Sequence, residues 1–173
     1  MAGAGAWWTA RGPLPLDRPR VVGILNVTPD SFWDGGRHAS LDAALAHAEA
    51  LVEQGADVVD VGGESTRPGA RPVPAAEELA RVVPVVRALV RRWPELVVSV
   101  DTVKGEVARA VLAEGAAAIN DVSGLRLDPG LGEAVAAAGA GIIVMHSRGP
   151  VERMASYELA VYGPDPVGEV VAE

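Results

Sequence analysis

The chain has 173 residues, 49% hydrophobic and 22% charged, which fits one folded domain, or part of one, and excludes a disordered segment. Its net charge of −8 argues against non-specific nucleic-acid binding, and the absence of cysteine excludes disulfides and thiolate metal sites. No apolar run reaches the ~18 residues of a membrane span, and residues 1–10 lack the basic start of a secretory leader, so the cytoplasm is the expected compartment.

Residues 1–20 read as an irregular lead-in, because Pro13, Pro15 and Pro19 interrupt any long helix. The domain proper is expected over 21–173. A first strand, Val21–Leu25, is short and rich in β-branched residues, and it ends on Asn26 and a polar, glycine-rich stretch up to Gly36. Ser40 is a good cap for a helix that stops at Gly55. A second strand, Asp57–Val61, runs into Gly62-Gly63-Glu64-Ser65-Thr66-Arg67-Pro68-Gly69-Ala70. The apolar spacing of Leu79, Val82, Val83, Val86, Leu89 and Val90 predicts a helix over Ala75–Arg92, kinked at Pro84. A strand at Val97–Val100 precedes a helix from Thr102 to Gly115. A strand at Ala117–Ile119 precedes a helix capped by Asp128, opened by Pro129 and closed by Gly139. A strand at Gly141–Met145 follows, and Asp165-Pro166 announces a fifth helix.

Five β-α units with strands apolar on both faces point to a parallel sheet, either a (β/α)8 barrel or a doubly wound sheet. The polar residues favour the barrel. Asn26, Gly62–Arg67, Asp101, Asn120-Asp121 and His146 each follow a strand, and a barrel gathers all those ends around one pocket. A barrel needs eight units, and the alternation here stops inside the fifth helix. The expected architecture is an α/β fold of the TIM (β/α)8 barrel family, incomplete, with about five units.

Several of these strand-end residues carry chemistry. Asn26 is either a turn-former or an oxygen ligand for Mg²⁺ and contact for a phosphorylated substrate. Asp30, Phe32 and Asp34 crowd the loop after it. Ser65-Thr66-Arg67 beside Gly62-Gly63 suits a phosphate or carboxylate, although a tight loop with a solvated arginine gives the same pattern. Glu64 could pair with Arg67. Asp101 either caps the next helix or accepts hydrogen bonds from a heterocycle, and Thr102 can serve as the cap instead. Asn120 offers donors and acceptors matching a pterin-like or purine-like edge. His38, His47 and His146 form no metal pattern, and His146 either lines the pocket or does not. Lys104 lies in the first turn of a helix, a poor place for a catalyst.

Together these motifs resemble dihydropteroate synthase. The resemblance rests on Gly23-Ile24-Leu25-Asn26-Val27-Thr28-Pro29-Asp30-Ser31-Phe32-Trp33-Asp34-Gly35-Gly36 and on Gly55-Ala56-Asp57 through Gly62-Gly63-Glu64-Ser65-Thr66-Arg67-Pro68-Gly69. Ser99-Val100-Asp101-Thr102, Ile119-Asn120-Asp121-Val122-Ser123-Gly124 and Met145-His146-Ser147-Arg148-Gly149 follow in the family's order. It implies a transferase of folate biosynthesis that joins 6-hydroxymethyl-7,8-dihydropterin diphosphate to 4-aminobenzoate, giving 7,8-dihydropteroate and diphosphate. It further implies Mg²⁺ on Asn26, catalytic roles for Asp30, Phe32 and Arg67, and substrate contacts from Thr66, Arg67, Asp101, Asn120 and Met145. Small-molecule partners and a homodimer of the full-length protein are expected, with neither nucleic acid nor membrane. A pterin-binding methyltransferase domain and a non-catalytic pterin-binding fragment are the alternatives. The second arises because the family's last three βα units carry further pterin and diphosphate ligands.

Overall fold

The computed structural model describes residues 5–28, 36–65, 72–149 and 158–173, with the backbone alone for 36–40. Its main sheet is built from β3 (Val22–Asn26), β4 (Val58–Gly62), β5 (Val97–Asp101), β6 (Ala118–Asp121) and β7 (Gly141–Val144), preceded by a hairpin of β1 (Ala6–Thr9) and β2 (Gly12–Pro15). The helices are α1 (Gly36–Glu53), α2 (Ala75–Arg92), α3 (Gly105–Ala113), α4 (Pro129–Ala138) and α5 (Pro166–Ala172). The five strands lie side by side in chain order, β3-β4-β5-β6-β7, and every neighbouring pair is parallel. A doubly wound sheet would reverse direction at a switch point. The uninterrupted order is that of a barrel wall, and the chain forms an arc of a (β/α)8 barrel with five of its units.

Alternation along the strands separates the two faces. Leu25, Val59, Val61, Val98, Val100 and Ile119 point to one side and are fully buried against Val82, Val86, Leu89, Val107, Val111 and Leu131 of α2, α3 and α4. Each such side chain contributes about 1.5–3 kcal/mol by leaving water. The other set is Ile24 and Asn26, Asp60 and Gly62, Ser99 and Asp101, Ala118 and Asn120. It faces the inside of the arc and is far more polar. The strand and helix order matches the sequence expectation, and α2 has the expected bounds, with Pro84 inside it.

Three expectations are corrected. The lead-in over 1–20 is not irregular throughout, since residues 6–15 form the antiparallel hairpin. Leu16 N–H donates to Gly5 O at 2.8 Å, so the even-numbered positions of β2 face β1, and Pro13 and Pro15, which have no N–H, fall on the outward positions. Prolines that break a helix are compatible with this edge. The hairpin lies across the N-terminal ends of the last strands: Ala10 N–H donates to Ala117 O at 2.9 Å, and a Cβ built on Gly141 would come within 2.9 Å of the Trp7 ring. Arg18 and Arg20 add ion pairs to Asp57, at the foot of β4. Helix α3 starts at Gly105 rather than Thr102, because Asp128 accepts the Gly105 N–H at 2.6 Å and holds the helix start there. Helix α1 extends back to Gly36, ahead of the expected cap Ser40. Among the described residues no helix is long and apolar enough to cross a membrane.

Candidate functional site

With the hairpin at one end of the strands, the polar residues cluster at the other. Strand pairing sets Asn26 opposite Gly62, Gly62 opposite Asp101 and Asp101 opposite Asn120, one row across four adjacent strand ends. Glycine in this row leaves room. A Cβ at Gly62 would lie 3.2 Å from Asn26 Oδ1 and 3.9 Å from Asp101 Oδ2, so the two oxygens lean over the same gap from opposite sides. The sequence-expected residues Asn26, Asp101 and Asn120 are thus brought together. Met145 follows β7, and its N–H donates to Asp121 O at 3.1 Å, which ties the β7 end to the β6 end. Asp30, Phe32, Thr66 and Arg67 lie outside the described residues.

Neither Asp101 nor Thr102 caps α3, whose N-cap residue is Lys104; Thr102 makes only a local turn ahead of it. Its Oγ1 accepts the Lys104 N–H at 3.3 Å. Asp101 is partly buried, and burial together with the charges of Asp60, Glu78, Asp121 and Glu64 raises its carboxyl to about 7, far above the ordinary carboxylate range. A group poised near neutrality in a concave, polar site is the usual mark of a binding or catalytic position.

Asp121, one of the strand-end residues, is structural. Fully buried, it accepts the N–H groups of Ser123 at 2.8 Å and Leu125 at 2.6 Å, and so folds the loop after β6. That loop places Gly124 and Leu125 at φ 65° and 62°, and a Cβ on Gly124 would meet Met145 O at 2.8 Å. Leucine in this left-handed region is strained, and Asp121 supplies the compensating bonds. His146 packs beside Tyr162, ring centroids 6.0 Å apart, with Nε2 3.6 Å from Glu173 Oε2.

Two features escaped the sequence reading. Glu64 pairs with Lys104, and the same ammonium pairs with Glu78, a fully buried carboxylate in the first turn of α2. These two bonds hold Lys104 charged against the opposing effect of burial. A Cβ on Gly63 would come within 2.7 Å of Val82 and 3.1 Å of Glu78, so the strand end of β4 is clamped to α2. The second feature is Asp60, flanked by valines in sequence and buried on the inner face beside Ile24 and Ser99, one step below Gly62. The signal for both was an acidic residue inside an apolar periodic run.

The fit to Mg²⁺ turns on Asn26. Among the described residues no three His, Asp or Glu side chains converge as a metal cluster. Mg²⁺ does not require one, since it commonly takes one or two protein oxygens and completes its shell with water and phosphate. The Asn26 amide oxygen, set beside the gap at Gly62, is a donor of that kind.

A family model described as "Pterin binding enzyme" matches residues 22–173. The chain belongs to the pterin-binding enzyme family. Among its relatives is the dihydropteroate synthase of Escherichia coli (strain K12), 51% identical over 141 residues, which cover 82% of this chain and 49% of that protein. The crystal structure of Xanthomonas albilineans dihydropteroate synthase with 4-aminobenzoic acid superposes with a TM-score of 0.80 at 49% identity, covering 96% of this chain and 57% of that one. The Burkholderia cenocepacia dihydropteroate synthase complexed with 7,8-dihydropteroate gives a TM-score of 0.74 at 44% identity, covering 89% and 50%. The chain spans about half the length of the Escherichia coli and Synechocystis dihydropteroate synthases that it matches. As a pterin-binding enzyme domain it therefore presents five barrel units of the family fold. The matched relatives are named as synthases, which does not favour the methyltransferase reading.

Proposed function

We propose that this chain carries the pterin and diphosphate side of a dihydropteroate synthase site. The observation that supports this best is the row formed by Asn26, Asp101 and Asn120 at the strand ends, with Gly62 leaving space between them. Asp101 and Asn120 present acceptors to the N–H and NH₂ donors of a pterin edge. Met145 packs near the ring. Asp30 and Phe32, which follow β3 in sequence, and Thr66 and Arg67, which follow β4, are proposed to meet the diphosphate and the 4-aminobenzoate.

The proposed reaction breaks the bond between the pterin CH₂ and the diphosphate oxygen and forms one between that carbon and the aniline nitrogen, which then loses a proton. Bound at Asn26, Mg²⁺ would neutralise charge on the departing diphosphate. Arg67 would do the same, and water must be kept from capturing the electron-poor CH₂. The full-length protein is proposed to act as a homodimer on small-molecule substrates. Asn26→Ala in the full-length protein should lower dihydropteroate formation roughly 100-fold or more, as loss of a single well-placed electrostatic contact does. It should also remove the dependence on added Mg²⁺. Turnover and metal dependence like the parent's would refute the role of Asn26.

A further inference from the structure

Asp60 sits on the inner face of β4, 5% exposed, in line with Gly62 and one step further from the strand end. Its two carboxylate oxygens are both used. Oδ1 accepts from the Ser99 hydroxyl at 2.5 Å, and Oδ2 accepts from Asn120 Nδ2 at 2.9 Å. An ionised carboxylate only accepts hydrogen bonds, so of the two ends of the Asn120 amide only the NH₂ can face it. The amide oxygen is then turned the other way, toward the strand ends where Asp101 stands at the paired position.

We propose that Asp60 is a specificity-determining positioning residue: it locks the Asn120 amide with its oxygen toward the pocket, so that Asn120 and Asp101 together present acceptors only. This rests on the pterin reading of the site. A ligand edge with adjacent N–H and NH₂ groups is matched by such a pair, and an edge of acceptors is refused, because a buried acceptor facing another leaves both unsatisfied. Burying a carboxylate under the pocket is costly unless its lone pairs are answered, and Ser99 and Asn120 answer them. The same carboxylate is the strongest of the charges acting on Asp101, so the two acceptors are electrostatically linked through it.

The lock can be exchanged. In Asp60→Asn the new amide can keep the Ser99 bond and donate to the Asn120 oxygen, while Asn120 turns its NH₂ toward Asp101. The pocket then loses both acceptors. In Asn120→Asp two carboxylates face each other. In the double variant, the amide introduced at position 60 donates to a carboxylate at position 120 that still presents an acceptor to the pocket, with the net charge unchanged. The experiment is calorimetric titration of the full-length protein and these variants with 6-hydroxymethylpterin, with unfolding temperatures recorded for each. Each single substitution should weaken binding roughly tenfold or more, the scale of a buried polar group left mispaired. The double variant should return to within about threefold of the parent, a coupling that a purely structural role would not give. In turnover, Asp60→Asn should raise KM for the pterin substrate and leave KM for 4-aminobenzoate unchanged. Binding by Asp60→Asn within twofold of the parent, or a double variant no better than the weaker single, overturns the proposal. If Asp60→Asn does not fold, the double variant decides alone, by binding within about threefold or failing to. If the parent itself binds no pterin, the reading of the site falls, and this inference falls with it.

Discussion

Asp101 is the residue whose charge state the fold controls most directly. Burial comes first, and the surrounding carboxylates Asp60, Glu78, Asp121 and Glu64 add to it, placing its titration at about 7. A pterin edge that donates hydrogen bonds favours the ionised form. Binding should therefore strengthen as pH rises through about 7 and level off above, and below that pH it should release a proton. Stability runs the opposite way. A carboxyl raised in the folded state contributes stability that is present below its ordinary unfolded value and is lost as pH climbs through about 7. Asp101→Asn should consequently unfold at a higher temperature than the parent at pH about 8, with the gap closing toward pH about 4. The same substitution should abolish the pH slope of pterin binding. Thermal unfolding by circular dichroism and titration across that range test both; a gap that does not change with pH would refute the assignment.

At the scale of elements, one side chain organises two helices. Asp128 caps α4 by accepting the Gly130 N–H at 2.8 Å and fixes the start of α3 by accepting that of Gly105. Those two backbone bonds hold its carboxyl below the usual range. A lowered carboxyl contributes stability above its unfolded value and loses it as pH falls. Asp128→Ala should lower the denaturant midpoint at neutral pH, and the difference from the parent should shrink in acid. The cap itself was legible, because Asp-Pro followed by an apolar run is a local signal. Its second bond was not, since Gly105 lies 23 residues away in sequence. That is why α3 was expected to begin at Thr102. The hairpin was missed for a related reason: Pro13 and Pro15 report what the chain cannot do, while their tolerance at the outward positions depends on the partner strand.

Taken whole, the molecule is an arc with two different faces. Its helix-covered face was readable from the continuous apolar strands. Its inner face was readable only at the strand ends, where Asn26, Asp101 and Asn120 stand in expected motifs. The Asp60–Ser99–Asn120 set and the Glu64–Lys104–Glu78 set are made of bonds between residues 26 to 60 positions apart, across strands and helices, so a single stretch of sequence shows an acidic residue in an apolar run but not its partners. Among the described residues β3 and β7 are each paired along one side, and Ile24 on the inner face is 63% exposed. Open strand edges beside exposed apolar side chains recruit further strands. The 173 residues by themselves should accordingly associate as concentration rises and form no dihydropteroate; light scattering and a product assay check the two halves of this statement.

The row at the strand ends also acts as a ruler. Asn26, Gly62, Asp101 and Asn120 are separated by successive strand spacings, so the distance from the proposed metal ligand to the pterin contact is set by backbone hydrogen bonding, about 14 Å for three steps measured along the sheet. Lengthening a helix or a loop at the far side of the units leaves that distance untouched. Inserting one residue within β5 does not: it would swing Asp101 to the helix-covered face and bring an apolar neighbour into the pocket. Variation in this architecture is thus cheap outside the strands and prohibitive within them, so a redesigned substrate is more readily accommodated by changing what stands on the ruler than by changing its divisions.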